Sequence, residues 1–377
     1  MHKFWNKMKS VNIVCFIRYG MSILLFSTLC YFIGCDDKSV ESKPILFPKA
    51  EAQHINERQL EQAFDDAAQI ASLQGLAVAR NGVIVAEAYY HGASEAPDSD
   101  MDVRSVTKSY LSALVGIAID KGFIQSIEQT VSDFLPEEIL SVNPDLGQVS
   151  LHQLMTMTCG HAWQELGQFS EFNNFVRAEN QLIYILEKSI VNTPGTLFNY
   201  SDGAAHLVSI ILSMATGMSA GGFANEYLFI PMGLGNRNWS RDKQGHTYGG
   251  VGLRVGIHDM IQFGWLYLND GYCNGNQILS KSWIETSTQG KLSTNNVLPY
   301  LENYGYFWWL GHEQGHDFIC AMGYGGQFIF VVHDLNLVVC TRCSFRFESK
   351  NVAGQNWTTL LNLIINQILP AVYDDMH

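Results

Sequence analysis

The sequence predicts an α+β fold: an antiparallel sheet flanked by helices, joined to an all-helical lobe. Three observations lead there. Residues 76–80 and 83–89 read as strands on either side of Asn81-Gly82, a dipeptide suited to a tight two-residue turn, and this is the strongest hairpin signal in the chain. Strand-like runs return only late, at 304–310, 318–322, 327–333 and 335–343. Between them the apolar spacing is helical, clearest at 151–157, 172–189 and 204–216, with loops rich in Gly and Asn. The two ends therefore build one lobe, residues 55–130 and 255–377, and residues 131–254 build the other. Helices expected at 57–71, 257–269 and 355–367 belong to the sheet lobe.

A chain of 377 residues exceeds the ~100 to 200 of a usual single domain, which suits two lobes. Hydrophobic residues make up 47% and charged ones 16%, so long disorder is not expected. The formal net charge of -13 and the absence of a basic stripe argue against a nucleic-acid partner.

Residues 1–34 differ from the rest. Lys3, Lys7, Lys9 and Arg18 stand there without any acidic residue and precede the apolar run 21–34, the pattern of an export signal. That run is short of the ~20 residues a spanning helix needs. Phe32-Ile33-Gly34-Cys35 resembles a lipoprotein processing box, which makes Cys35 the expected lipidation site and residues 1–34 a lipoprotein-type signal; an uncleaved signal anchor is the alternative. Residues 35–54, polar and carrying Pro44 and Pro48, read as a tether. The expected location is the bacterial cell envelope, membrane-anchored and facing the periplasm or exterior.

Beyond Cys35 lie five cysteines, Cys159, Cys273, Cys320, Cys340 and Cys343, an odd number that cannot all pair within the chain. Cys340-Thr-Arg-Cys343 has the spacing of a redox or zinc motif but no second pair. A disulfide among Cys320, Cys340 and Cys343 stays open.

The chemistry centres on Ser105-Val106-Thr107-Lys108, where an irregular polar run hands over to a helix with Leu111, Leu114, Val115 and Ala118 on one side, closed by Gly122. Residues three apart share a helix face, so the Ser105 hydroxyl lies beside the Lys108 nitrogen. A helix N-terminus favours the alkoxide, and the lysine is placed to accept its proton, a pairing suited to covalent acyl transfer. Two later stretches fit the same chemistry. Tyr200, between the Pro194-Gly195 turn and a helix, can relay a proton at the lobe junction. In Met322-Gly323-Tyr324-Gly325-Gly326-Gln327, glycines on an edge strand let a substrate approach closely, and backbone N–H groups there can join that of Ser105 in an oxyanion hole.

Two other motifs are set aside. Gly217-Met-Ser219-Ala-Gly221 matches a nucleophile elbow, but a helix precedes it where a strand is required. His312-Glu313-Gln314-Gly315-His316 matches a zinc-protease motif, but Gly315 and strand-like flanks make it a hairpin tip.

Ser105-Val-Thr-Lys108, Tyr200-Ser-Asp202 and the glycine-rich strand, in this order, resemble the serine hydrolases of the beta-lactamase superfamily. The likeness is to its class C-like branch of esterases, D-amino-acid peptidases and 6-aminohexanoate-dimer hydrolases. It covers about residues 59–372 and takes in Leu151-His-Gln-Leu-Met-Thr-Met-Thr-Cys-Gly160, Gly249-Gly-Val-Gly-Leu-Arg254 and Tyr304-Gly-Tyr-Phe-Trp-Trp309. The resemblance implies the beta-lactamase/penicillin-binding-protein-like fold, Ser105 as acylated nucleophile, Lys108 as its proton acceptor and Tyr200 as second base. It also implies an oxyanion hole from the N–H groups of Ser105 and Tyr324, with Asp202, Gly323 and Gly325 contacting substrate. Asp202 stands where many relatives have Asn. Ala321-Met322-Gly323 replaces a Lys-Thr-Gly motif, which removes a cation for a substrate carboxylate and favours esters and amides over beta-lactams.

The expected function is cleavage of a small ester, amide or short peptide through an acyl-enzyme on Ser105, requiring neither metal nor organic cofactor. A D-amino-acid or cell-wall peptidase, or a beta-lactamase-like enzyme, is the alternative within this chemistry. A catalytically silent envelope protein that binds such ligands is the alternative outside it.

Overall fold

A computed structural model describes residues 45–46, 50–91, 100–166, 170–345 and 350–373. The stretch expected to be a signal, residues 1–34, and Cys35 lie outside them. We label the strands of the main sheet β1 (Ile45–Leu46), β2 (Leu73–Arg80), β3 (Val83–Tyr89), β4 (Leu292–Leu298), β5 (Leu301–Tyr304), β6 (Trp309–Glu313), β7 (His316–Gly323), β8 (Gln327–Val332) and β9 (Leu337–Cys343). They form an antiparallel sheet in the order β1-β3-β2-β9-β8-β7-β6-β5-β4. Asn81 (φ 51°) and Gly82 (φ 78°) make the β2–β3 turn, the left-handed pair that a two-residue hairpin demands. The sequence ends meet at β2 and β9, with Val339 opposite Val78 in the register. Early and late strands thus share one sheet, with helices between them in sequence.

The principal helices are α1 (Glu57–Ala67), α2 (Thr107–Asp120), α3 (Leu151–Met155), α4 (Ser170–Arg177), α5 (Gln181–Leu186), α6 (Asp202–Thr216), α7 (Ile257–Leu268) and α8 (Lys350–Leu363). Every residue of β8 and β9 is buried, so both faces of the sheet centre are covered. Gly264 of α7 packs over Val338 and Ile329 so closely that a Cβ would meet Val338 Cγ1 at 2.6 Å. The described residues form one compact unit, in which α2 packs against both α6 and β7. Its burial is accordingly complete from Thr107 to Ala118, not confined to the one apolar side expected.

Several expectations need correction. Part of the predicted tether belongs to the folded body: Ile45 and Leu46 pair with Glu87 and Ala86, and Ala50 is fully buried. The helix expected over 172–189 is two, because the Asn180 side chain caps α5 by accepting the N–H of Ile183. The strand expected over 304–310 breaks after Tyr304, where Phe307 takes φ 60° before β6 begins at Trp309. The strand β4 was not foreseen.

Both set-aside motifs are structural. Gly217 (φ 68°) ends α6, and Ser219 caps the next short helix by accepting the N–H of Gly222. Gln314 and Gly315 form the β6–β7 turn, with His312 bonded to Asp317 and His316 to Asp334. The five cysteines beyond Cys35 are free thiols, and burial pushes Cys343 up to about 12, far from a reactive thiolate.

Candidate active site

Ser105 occupies a single 3-10 turn, Arg104–Val106, that runs directly into α2. Arg104 holds φ 52°, a left-handed conformation that costs a non-glycine residue about 1 kcal/mol or more. Asp102 stabilises it by accepting the N–H of Arg104 at 2.8 Å and that of Gly252 at 3.3 Å. The kink sets the Ser105 hydroxyl at the wall of a cavity of about 290 Å³.

One turn on, Lys108 is almost wholly buried, its side chain 1% exposed. Its nitrogen donates to Ser105 Oγ at 2.9 Å, to the Gly250 carbonyl at 3.1 Å and to the Asp202 carboxylate. All three ammonium protons are thereby satisfied. Gly250 is glycine for a plain reason: a Cβ there would lie 2.0 Å from Asp202 Oδ1 and 3.0 Å from Lys108 Nζ.

Tyr200 closes the opposite side. The Lys108 nitrogen lies 4.8 Å from its ring centroid, and the ring stacks on Trp309 at 5.9 Å. Burial, then the nearby Asp202 and Glu165 carboxyls, hold the phenol well above its ordinary value, so it is neutral and able to donate. Its position is set by the residue that follows: Ser201 caps α6 through the N–H of Ala204 and bonds His161 at 2.9 Å.

Glu165 is the member of this cluster that the sequence reading missed. Its carboxylate oxygen accepts the Trp163 indole N–H at 2.8 Å and the backbone N–H of Asp202 at 2.9 Å, and the residue lines the cavity. Burial and the neighbouring Asp202 charge raise its pKa well above 4.5, and Lys108 only partly offsets them. Because the fold keeps a proton that the unfolded chain releases, the stability from this group is whole below about pH 4.5 and is lost as pH rises toward the folded value. Glu165→Gln, which keeps a neutral amide there, is therefore expected to melt progressively higher than wild type on going from pH 5 to pH 8, by ~2 °C or more at the upper end. A pH-independent difference in melting temperature would overturn this.

The glycine-rich stretch behaves differently from the expectation of an edge strand. β7 lies inside the sheet, yet β6 pairs with it only as far as Cys320, opposite Trp309. Ala321, Met322 and Gly323 pair with β8 alone, so their other side opens toward Ser105. Met322 and Tyr324 line the cavity, whereas Gly323 and Gly325 do not. Gly323 instead allows close packing, since a Cβ would meet the Val103 carbonyl at 2.4 Å, and Gly325 (φ 82°) gives its carbonyl to Asn356. Asp202 likewise holds Lys108 at the cavity edge, a tie that the expected substrate contact did not anticipate.

Ser105, Lys108, Tyr200 and Asp202 thus converge from α2 and the start of α6, with Tyr324 across the cavity. Gly250 and Trp309 lay in stretches already singled out, though without a role. Nothing in Trp163-Gln164-Glu165 distinguishes that glutamate from a solvated one.

The beta-lactamase family model matches residues 58–353. A 6-aminohexanoate-dimer hydrolase of Paenarthrobacter ureafaciens is 24% identical over 311 residues, 77% of this chain and 76% of that protein. Among solved structures, a Bacillus anthracis protein provisionally assigned as a 6-aminohexanoate-dimer hydrolase superposes with a TM-score of 0.68 at 21% identity, covering 82% of each chain. A family VIII carboxylesterase does so with a TM-score of 0.62 at 16% identity, covering 85% of this chain and 100% of its own. The antiparallel sheet, the Ser105–Lys108 turn and a family match over most of the length agree, and the chain belongs to the beta-lactamase family, within a superfamily of hydrolases.

Proposed function

We propose that this protein is a serine hydrolase that cleaves a small ester or amide through an acyl-enzyme on Ser105. The observation that carries the reading is the Lys108 nitrogen, bound at once to Ser105 Oγ and to the buried Asp202 at the base of an open cavity. As Ser105 Oγ attacks the carbonyl carbon, its proton passes to Lys108 while Lys108 gives one to Asp202. The buried site gains no net charge, which matters where water cannot screen it. The backbone N–H groups of Ser105 and Tyr324 stabilise the oxyanion, and the neutral Tyr200 hydroxyl protonates the leaving group. Water then adds to the acyl carbon, its proton going to the Tyr200 oxygen; as the tetrahedral species collapses, Asp202 returns its proton to Lys108, Lys108 gives one to Ser105 Oγ, and the acid leaves.

A fluorophosphonate probe is expected to add one adduct mass to the folded protein, mapped to Ser105, alongside turnover of p-nitrophenyl esters. A folded protein with neither adduct nor turnover would remove the hydrolase reading and favour a silent ligand-binding role. Among the described residues lining the cavity, Arg104 is the one cation, and it supports a carboxylate-bearing peptide as the second reading. Preference for a D-Ala-D-Ala peptide over neutral esters would establish that. We also propose export and lipidation at Cys35; Cys35→Ala should lose palmitate labelling and appear in the soluble fraction, and retention of both label and membrane association would refute it.

A further inference from the structure

Beside the catalytic cavity lies a second one of about 400 Å³. The two share a wall made of Leu166, Leu298, Met322, Tyr324 and Trp357. Beyond that wall, Gly354 and Leu361 of α8 face Val297 and Pro299 of the β4–β5 hairpin. Among the described residues no charged side chain lines this second space; Asn351 and Thr358 supply its polar groups apart from Tyr324 and Trp357. Its position is fixed to the reacting centre. The Trp357 indole donates to the Gly323 carbonyl at 2.8 Å, and the neighbouring Asn356 donates to the Gly325 carbonyl, so α8 is pinned to both flanks of Tyr324.

We propose that this second cavity is a subsite for an unbranched apolar arm of the substrate, so that the enzyme prefers medium-chain esters or amides to acetyl-sized ones. The inference rests on the hydrolase reading and specifies its substrate class. The physical basis is transfer of methylenes from water to an apolar wall already continuous with the site of attack. Each methylene that enters should raise kcat/KM by about fourfold until the space is filled. Such an arm can sit on the acid or on the alcohol side of the scissile bond, and the shared chemistry is its length and lack of charge.

Gly354 allows a clean block. A Cβ at this helical position meets nothing within 4 Å, and replacing a helix-interior glycine with leucine favours the helix. The experiment compares p-nitrophenyl acetate, butyrate and octanoate, and in parallel ethyl and octyl acetate, on wild type and Gly354→Leu. Octanoate or octyl acetate should exceed its short partner by at least tenfold in wild type, and Gly354→Leu should erase that advantage while acetate turnover stays within about twofold. The series that responds tells which side carries the arm. No gain with length in either series, or equal loss for short and long substrates in Gly354→Leu, would overturn the proposal. Binding of sodium octanoate to Ser105→Ala, followed by tryptophan fluorescence and repeated with Ser105→Ala/Gly354→Leu, reads the cavity without chemistry. Octanoate binding at least tenfold tighter than acetate, lost in the double variant, supports the subsite even if the protein turns nothing over; equal binding sinks it.

Discussion

Ser105→Ala is expected to lower kcat for p-nitrophenyl esters by ~10⁴-fold or more and to abolish the fluorophosphonate adduct. The reason is that, among the described residues lining the cavity, the other hydroxyls are the phenols of Tyr200 and Tyr324, and burial holds both above their ordinary value. The fold should survive. The variant removes one hydrogen bond to Lys108, worth about 1 kcal/mol, so the melting temperature should fall by no more than a few degrees. Measured by mass spectrometry, burst kinetics and calorimetry on one preparation, retained labelling in Ser105→Ala would assign the nucleophile elsewhere.

The second large effect is Lys108→Met. It removes the proton acceptor and leaves Asp202, with a side chain 4% exposed, as an unpaired carboxyl in the interior. Breaking a buried pair on one side costs about 3 to 5 kcal/mol, whereas removing both charges together is often close to neutral. Lys108→Met should therefore be both inactive, by ~10³-fold or more, and clearly less stable. Lys108→Met/Asp202→Asn should regain most of the stability and none of the activity. Chemical denaturation with parallel ester turnover separates the two roles. A double variant as unstable as the single would mean that Asp202 is not held by Lys108 alone, and recovered activity would remove the lysine from the reaction.

The contrast between these two variants also shows which parts of the site were open to reading. Ser105 and Lys108 are three residues apart, and helical geometry alone brings them to hydrogen-bond distance. Tyr200 was legible through its neighbours, a turn before it and a helix start after it, because those determine where the chain must pause. Glu165 was not. Its carboxyl acquires a role only because the Asp202 backbone, 37 positions along the chain, meets it beside the local Trp163 indole, and no local pattern encodes that meeting. Gly250 was visible as a glycine, but its reason, the proximity of Asp202 and Lys108, comes from three separate segments.

The same division runs through the fold. Period-two apolar runs with an Asn-Gly turn, and the helical spacing between them, determined that the chain ends form a sheet and the middle forms helices. Those signals are local, since backbone geometry repeats over a few residues. Register, the edge opened beside Gly323, the pinning of α8 to that strand and the second cavity were decided by tertiary structure alone. Each depends on which distant side chains exclude water together, and burial of that kind is a property of the assembled surface, not of any one stretch of sequence.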